Sequence, residues 1–249
     1  METPPLKSEF TKGVGRSISV FFPCFNEQDT IEPLTAKAVE VLSRLCDDYE
    51  IIIVNDGSAD CTASVAEKLA RQIPQVRVVN HTQNLGYGAA LQSGFRAAKK
   101  ELVFYTDGDG QFDINELADI LPLIEQYDIV SCYRINRQEG SLRKFNAWCW
   151  TKLVCILFGI RLRDIDCAFK LYRRGVFDNM PLCSTGAMID TEVLVRALRA
   201  GCTVTQAPVR HYPRIAGKPT GAKLKVIFRA FAEMLQLYRQ LKNENKKPL

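Results

Sequence analysis

Histidine is almost missing from this chain: its 249 residues include only His81 and His211. A multi-histidine zinc centre is therefore excluded, and a Ser-His-Asp triad has few candidate members. His81 reads most simply as a polar residue at a strand end. No Gly-x-Gly-x-x-Gly follows the first apolar run and no Walker A lysine motif occurs, so the usual dinucleotide and P-loop signatures lack support. No apolar stretch reaches the roughly 18 residues of a spanning helix. The nearest, Phe145 to Ile160, is interrupted by Asn146 and Lys152. Met1 to Gly15 is polar and proline-containing, without the apolar core of a signal peptide. Nine cysteines are present, but they are scattered, several lie in apolar runs, and no Cys-x-x-Cys occurs. They read as reduced core residues of a cytosolic protein rather than as a disulfide frame.

What the chain does contain is enough apolar material, 47% of its residues, to bury one large α/β core. Apolar runs alternate with segments of helical period. Strands are expected at Ile18 to Phe22, Glu50 to Val54, Val76 to Val79, Leu102 to Tyr105 and Ile129 to Cys132. Helices are expected at Thr30 to Leu45, Ala59 to Gln72, Tyr87 to Lys99 and Asn115 to Gln126. That alternation demands an α/β fold with a doubly wound, mostly parallel sheet. Its organisation reads as an N-terminal tail (1–15), one domain (16–222), and a basic amphipathic C-terminal helix and tail (223–249). Between Val209 and Leu249 there are ten Lys or Arg against two Glu, although the whole chain is only +5. A basic tail beside an acidic body suits an anionic partner.

The polar turns fall after successive strands, where open α/β sheets bind ligands: Pro23-Cys24-Phe25-Asn26-Glu27, Asn55-Asp56-Gly57-Ser58, Asn84-Leu85-Gly86-Tyr87-Gly88, and Asp107-Gly108-Asp109-Gly110-Gln111. The fourth is the most informative. Two hard oxygen donors two residues apart, with a Gln beside them, suit Mg²⁺ or Mn²⁺ that keeps other positions for water and a diphosphate. The string alone also fits a plain hairpin or a calcium loop.

The ordered motifs PCFNE, VNDGS, NLGYGAA, TDGDGQ, DIDCAFKLYRR, IDTE and HYPRIAG resemble glycosyltransferase family 2, most closely its polyprenyl- or dolichol-phosphate sugar synthases. The resemblance runs from about Ile18 to Gly221 and implies a GT-A fold with Mg²⁺ or Mn²⁺ as cofactor. It also implies an inverting transfer of a hexose from a GDP- or UDP-linked sugar to a polyprenyl phosphate. Carried over residue by residue, Pro23, Phe25, Asn26, Glu27, Asp56, Asn84, Gly88, Asp107 and Gly108 would bind the donor. Asp107, Asp109 and Gln111 would hold the metal. Asp107, Asp109, Asp166 and Arg214 would carry the chemistry, and the loop of His211, Arg214 and Lys218 would close over the diphosphate. Asp56 is equally suited to capping the following helix, and Asn84 to an Asx turn. Asp190 and Glu192 open a helix, where carboxylates also favour the N-terminal dipole.

Arg134, Arg143 and Lys218 are the expected acceptor-side cations, since arginine forks grip phosphates. Cations flank an aromatic-rich segment, with Trp148, Trp150, Leu153, Ile156, Leu157 and Phe158 placed for the acyl boundary of a membrane surface; a core helix with basic flanks fits equally. The helix Val226 to Leu241 has an apolar face for the membrane, the body or a partner chain. The expected location is cytoplasmic, peripheral on the inner membrane face, with room for a homo-oligomer or a membrane partner subunit. No nucleic-acid module accompanies the basic tail. A sugar-hydroxyl acceptor would instead require a carboxylate base, with Asp166 or Glu192 as candidate. A nucleotidyltransferase would carry a basic glycine-rich loop where PCFNE stands. A non-catalytic docking subunit sits poorly with an intact acidic motif.

Overall fold

The structure, a computed structural model, describes residues 16–136, 140–214 and 224–244, except the side chains of 141–143 and 224–228. One seven-stranded sheet organises them, in the order β3-β2-β1-β4-β6-β5-β7. The strands are β1 (Ser17–Cys24), β2 (Asp48–Asn55), β3 (Val76–Asn80), β4 (Leu102–Thr106), β5 (Ile129–Ile135), β6 (Phe169–Arg173) and β7 (Val204–Arg210). The first four run parallel. β6 is antiparallel to both β4 and β5, whereas β5 and β7 are parallel. The expected doubly wound, mostly parallel sheet is what forms.

β1, β2 and β4 are buried along nearly their whole length, which explains their unbroken apolar runs: helices cover both faces, so no solvent side selects polar residues. The helices are α1 (Ile31–Leu45), α2 (Thr62–Gln72), α3 (Tyr87–Ala97), α4 (Leu117–Ile120), α5 (Ser141–Phe158), α6 (Ile189–Arg199) and α7 (Leu224–Glu244). α1 buries Ile31, Leu34, Ala38, Val41, Leu42 and Leu45, one stripe at helical spacing. α3 sits close to the sheet at Gly94, where an added Cβ would lie 2.3 Å from the Phe21 ring. This closeness builds an aromatic cluster of Phe21, Phe95, Tyr105, Tyr172 and Phe177.

The helix expected over Asn115 to Gln126 is not continuous. It divides into a 3₁₀ turn (Ile114–Glu116), the single-turn α4 and a second 3₁₀ turn (Leu121–Glu125). Pro122 lacks the N–H that an α-helix would need there, so the ladder changes step. The C-terminal helix α7 packs on the body: Met234, Leu237 and Leu241 are buried, Phe231 meets Trp150 of α5, and Tyr238 meets Phe158.

Candidate active site

The carboxyl ends of β1, β2, β3 and β4 lie side by side, so four turns distant in sequence meet at one sheet edge. Asn26 joins the first turn to the second. It adopts φ 60°, a left-handed conformation that asparagine tolerates. Its backbone amide donates to Ser58 Oγ at 3.0 Å while its Oδ1 accepts from the Ala59 amide at 2.9 Å. Pro23 and Cys24 end β1, and Gly108 fits over them: a Cβ there would approach Cys24 Sγ to 2.7 Å. Phe25 is left exposed at this edge. The Thr30 hydroxyl, at the head of α1, donates to the Gly108 carbonyl at 2.6 Å and so ties the acidic turn to the first.

Asp56 is spent on building the third turn. Its Oδ1 accepts from the Leu85 amide at 2.9 Å and contacts His81 Nδ1 at 2.6 Å, and its Oδ2 accepts from the Gly86 amide at 2.9 Å. His81 is in turn held by Ser93 Oγ at 2.8 Å. Gly57, with φ +64°, lets the second turn touch the third, since a Cβ would fall 2.2 Å from the Gln83 carbonyl carbon. Asn84 is exposed on that turn. Gly88 faces the loop of Ser184 to Gly186, whose carbonyls would meet its Cβ at 2.6 and 2.7 Å. That loop is clamped by the fully buried Glu192, which accepts from the Cys183 and Ser184 amides and pairs with Arg196 at 2.9 Å.

Two carboxylates dominate the fourth turn. Asp107 accepts from the Tyr87 hydroxyl at 3.0 Å. Burial, and next the nearby charge of Asp109, push its carboxyl up to about 8. Asp109 accepts from the Gln111 amide at 3.0 Å and from Arg214 at 2.7 Å. The Arg214 guanidinium also reaches Glu27 Oε1 at 3.3 Å, so it joins acids of the turns that follow the neighbouring strands β1 and β4. Glu27 is raised by burial. Gln111 donates through its side chain to the Tyr212 carbonyl at 3.1 Å and accepts from the Tyr212 amide at 2.9 Å, which seats the 211–214 segment against the acidic turn. Asp107, Asp109, Glu27, Gln111 and Arg214 are thus brought together. The donor set fits a hard divalent cation: two carboxylates, the half-buried Asp107 with its carboxyl raised and the buried Asp109 with a protein cation already drawn to it.

Asp166 lies among Asp190, Arg134, Asp164 and Lys170, half-buried, with its carboxyl pushed up to about 6 by burial and then by the charge of Asp190. Arg134 is committed within the protein: it forks Asp164 through Nε at 2.7 Å and a terminal nitrogen at 2.8 Å. Arg143 falls on α5 with its side chain outside the described residues, and Lys218 lies wholly outside them.

Several site residues escaped sequence reasoning. Tyr87 was read as part of a turn motif, yet its hydroxyl orients Asp107. Lys170 of β6 is fully buried and donates to Asp190 at 2.7 Å, to the Cys167 carbonyl at 2.6 Å and to the Tyr105 hydroxyl at 3.1 Å. A lysine inside the apolar run Phe169 to Tyr172 was the available signal, because such a charge is buried only when paired.

The chain matches the family model for glycosyl transferase family 2 over residues 19–181. Among curated proteins it is 31% identical to dodecaprenyl-phosphate galacturonate synthase of Rhizobium johnstonii, over 66% of this chain and 50% of that protein. It is 29% identical to undecaprenyl-phosphate 4-deoxy-4-formamido-L-arabinose transferase of Pseudomonas fluorescens, over 84% of this chain and 62% of the relative. It is 31% identical to glycosyltransferase AglD of Haloferax volcanii, over 80% and 34%. The chain therefore spans from about a third to three-fifths of these relatives' lengths. In fold it matches glucosyl-3-phosphoglycerate synthase of Mycobacterium tuberculosis, solved with Mn²⁺, UDP and phosphoglyceric acid. The TM-score is 0.71 at 21% identity, covering 94% of this chain and 84% of that one. With the acidic turn, the paired sheet edge and the family match in agreement, this chain belongs to glycosyl transferase family 2.

Proposed function

We propose that the chain transfers a hexose, with inversion, from a GDP- or UDP-linked sugar to a polyprenyl phosphate. The observation that carries this is the convergence of Asp107 and Asp109 with Arg214 at one sheet edge, a pairing of acid and cation suited to a metal–diphosphate. Mg²⁺ or Mn²⁺ held by Asp107 and Asp109, with Gln111 alongside, would supply charge to stabilise the departing nucleoside diphosphate. Arg214 would exchange Asp109 and Glu27 for the diphosphate and neutralise it as the sugar leaves. Tyr87 keeps the Asp107 carboxylate oriented, and Asn26 with Ser58 keeps the nucleoside edge preformed. The exposed Phe25 ring offers a base a stacking face.

A phosphate acceptor is anionic at neutral pH, so positioning outweighs the need for a general base. The acceptor reading draws on the relatives named for polyprenyl phosphates and on α5. That helix exposes Phe145, Trp148, Leu153 and Ile156, with Lys144 and Lys152 beside them, as an interfacial helix would. Among the described residues no helix is long and apolar enough to cross a membrane. Docking on the inner face of a membrane follows from this reading.

A second reading, transfer to a sugar hydroxyl, is favoured by Asp166, whose carboxyl is raised to about 6 and so titrates near neutrality, where a general base works. The test is thermal stabilisation by UDP-, GDP- and TDP-sugars with and without Mn²⁺, beside an Asp107→Ala/Asp109→Ala variant, then transfer to undecaprenyl phosphate and to sugar alcohols. A metal-dependent shift lost in the variant is expected. Turnover with lipid phosphate alone supports the first reading, turnover with alcohols the second, and no shift with any ligand leaves a non-catalytic subunit.

A further inference from the structure

Beneath the acidic turn lies a second polar cluster. Lys170 Nζ has three donors, and Asp190, Tyr105 and the Cys167 carbonyl occupy all three. With no exposure to solvent and no donor left, Lys170 acts only through these partners. They come from β4, from α6 and from the loop that carries Asp166, so one ammonium joins the elements that bear Asp107, Asp166 and Asp190. Asp190 Oδ1 accepts from both Lys170 and Tyr105. Its Oδ2 takes no hydrogen bond among the described residues, and the side chain keeps 5% exposure. Asp166 is in the same condition: no donor among the described residues reaches its carboxylate, and its charge is felt beside that of Asp190.

Carboxylates this little exposed, with an oxygen that no protein group meets, are costly unless something supplies donors. A buried Lys–Asp pair is also weak evidence of stabilisation, because apolar residues of the same volume do as well. Ionised carboxylates only accept hydrogen bonds, so the ligand group that fits them is rich in hydroxyls. It also carries no negative charge of its own, since Asp190, with Asp166 beside it, repels one.

We propose that Asp190, beside Asp166, reads the hydroxyls of the donor hexose, that Lys170 is the residue positioning it, and that the pocket selects a neutral hexose over the corresponding hexuronate. This rests on the nucleotide-sugar reading of the cleft. Asp190 is thereby a specificity-determining residue. Lys170 and Tyr105 touch no substrate and act by holding its carboxylate.

The experiment measures affinity, in Mn²⁺, for UDP and GDP and for two matched pairs: UDP-glucose with UDP-glucuronate, and GDP-mannose with GDP-mannuronate. The wild type is expected to bind the neutral member of its preferred pair at least about tenfold more tightly than the uronate, as a charge-assisted contact exchanged for a repulsion implies. Asp190→Asn is expected to lose about tenfold for the neutral sugar and to bring the two sugars within about twofold, with the free nucleoside diphosphate bound as before. Lys170→Met/Asp190→Asn, which removes both charges and leaves neither buried alone, is expected to match Asp190→Asn, since residues acting as one unit are not additive. Equal loss for nucleoside diphosphate and nucleotide-sugar in Asp190→Asn overturns the proposal and makes Asp190 structural. A wild-type preference for the uronate overturns it as well. Binding of UDP or GDP with no gain from any sugar sinks this inference alone. No binding of any of the six sinks the transferase reading with it.

Discussion

At the residue scale, function and stability pull Asp107 in opposite directions. Its carboxyl, ordinarily near 3.8, sits at about 8 because it is buried and next to Asp109. The folded chain therefore binds a proton that the unfolded chain has already lost, and stability falls as pH rises through that window. Asp107→Asn is expected to melt higher than the metal-free wild type at about pH 9, with the gap closing towards about pH 4. Scanning calorimetry across pH checks this; each kcal/mol is worth about 2–4 °C in a chain of this size. The same variant should show no Mn²⁺-dependent stabilisation by nucleotide-sugar. Arg134 presents the reverse case. Its fork on Asp164 is largely buried, so Arg134→Ala should cost about 3–5 kcal/mol by breaking a buried ion pair, and Arg134→Ala/Asp164→Ala should regain much of it. A KM for lipid phosphate that stays raised in the double variant would place an acceptor role beside the structural one.

The position of the acidic turn was legible because two carboxylates and two glycines directly follow an unbroken apolar strand. The partners of those residues were not: the Tyr87–Asp107 and Arg214–Glu27 bonds join positions 20 and 187 residues apart. No local pattern encodes such pairs, and only the strand order brings them together.

At the element scale, the turns hold one another, and glycines set the distances. The five expected strands and most helices were readable because burial on both sheet faces leaves unbroken apolar runs. β7, Val204–Arg210, was not, because its Thr, Gln, Pro and Arg residues dilute the pattern on an edge strand. α5 divided the two readings of its segment between its faces: Val154 and Phe158 enter the core, whereas Phe145, Trp148 and Ile156 face out. Gly57→Ala tests the turn-to-turn packing. At φ +64° and 2.2 Å from the Gln83 carbonyl carbon, a methyl group has no room unless the turn held by Asp56 moves. A loss of about 1–3 kcal/mol is expected by denaturant unfolding. Donor affinity should fall with it, because the displaced residues are those proposed to border the nucleoside.

At the scale of the whole molecule, the cleft and the outward apolar ridge are placed by one piece of geometry. β5 ends at Ile135, level with the β7 end that delivers His211 to Arg214, and α5 begins a few residues later. The helix therefore starts at the sheet edge that carries Asp107 and Asp109. Along α5, Phe145, Trp148 and Ile156 recur at helical spacing, 58%, 56% and 80% exposed, and Phe231 and Leu235 of α7 extend the apolar surface. Lys144, Lys152, Arg229 and Arg239 are exposed on the same two helices. Apolar side chains ringed by cations suit an anionic lipid surface, in line with the proposed lipid acceptor. The chain is accordingly expected to cosediment with vesicles containing anionic lipid. Binding should weaken as salt rises from about 0.1 M towards 1 M, since screening shortens to about 3 Å. Trp148→Glu/Ile156→Glu should release the protein from vesicles while leaving its melting temperature unchanged, because neither side chain is buried in the fold. Transfer to a soluble short-chain prenyl phosphate should persist in that variant while transfer to vesicle-borne lipid phosphate falls. Equal loss on both substrates would mean that α5 serves the cleft itself and not the membrane.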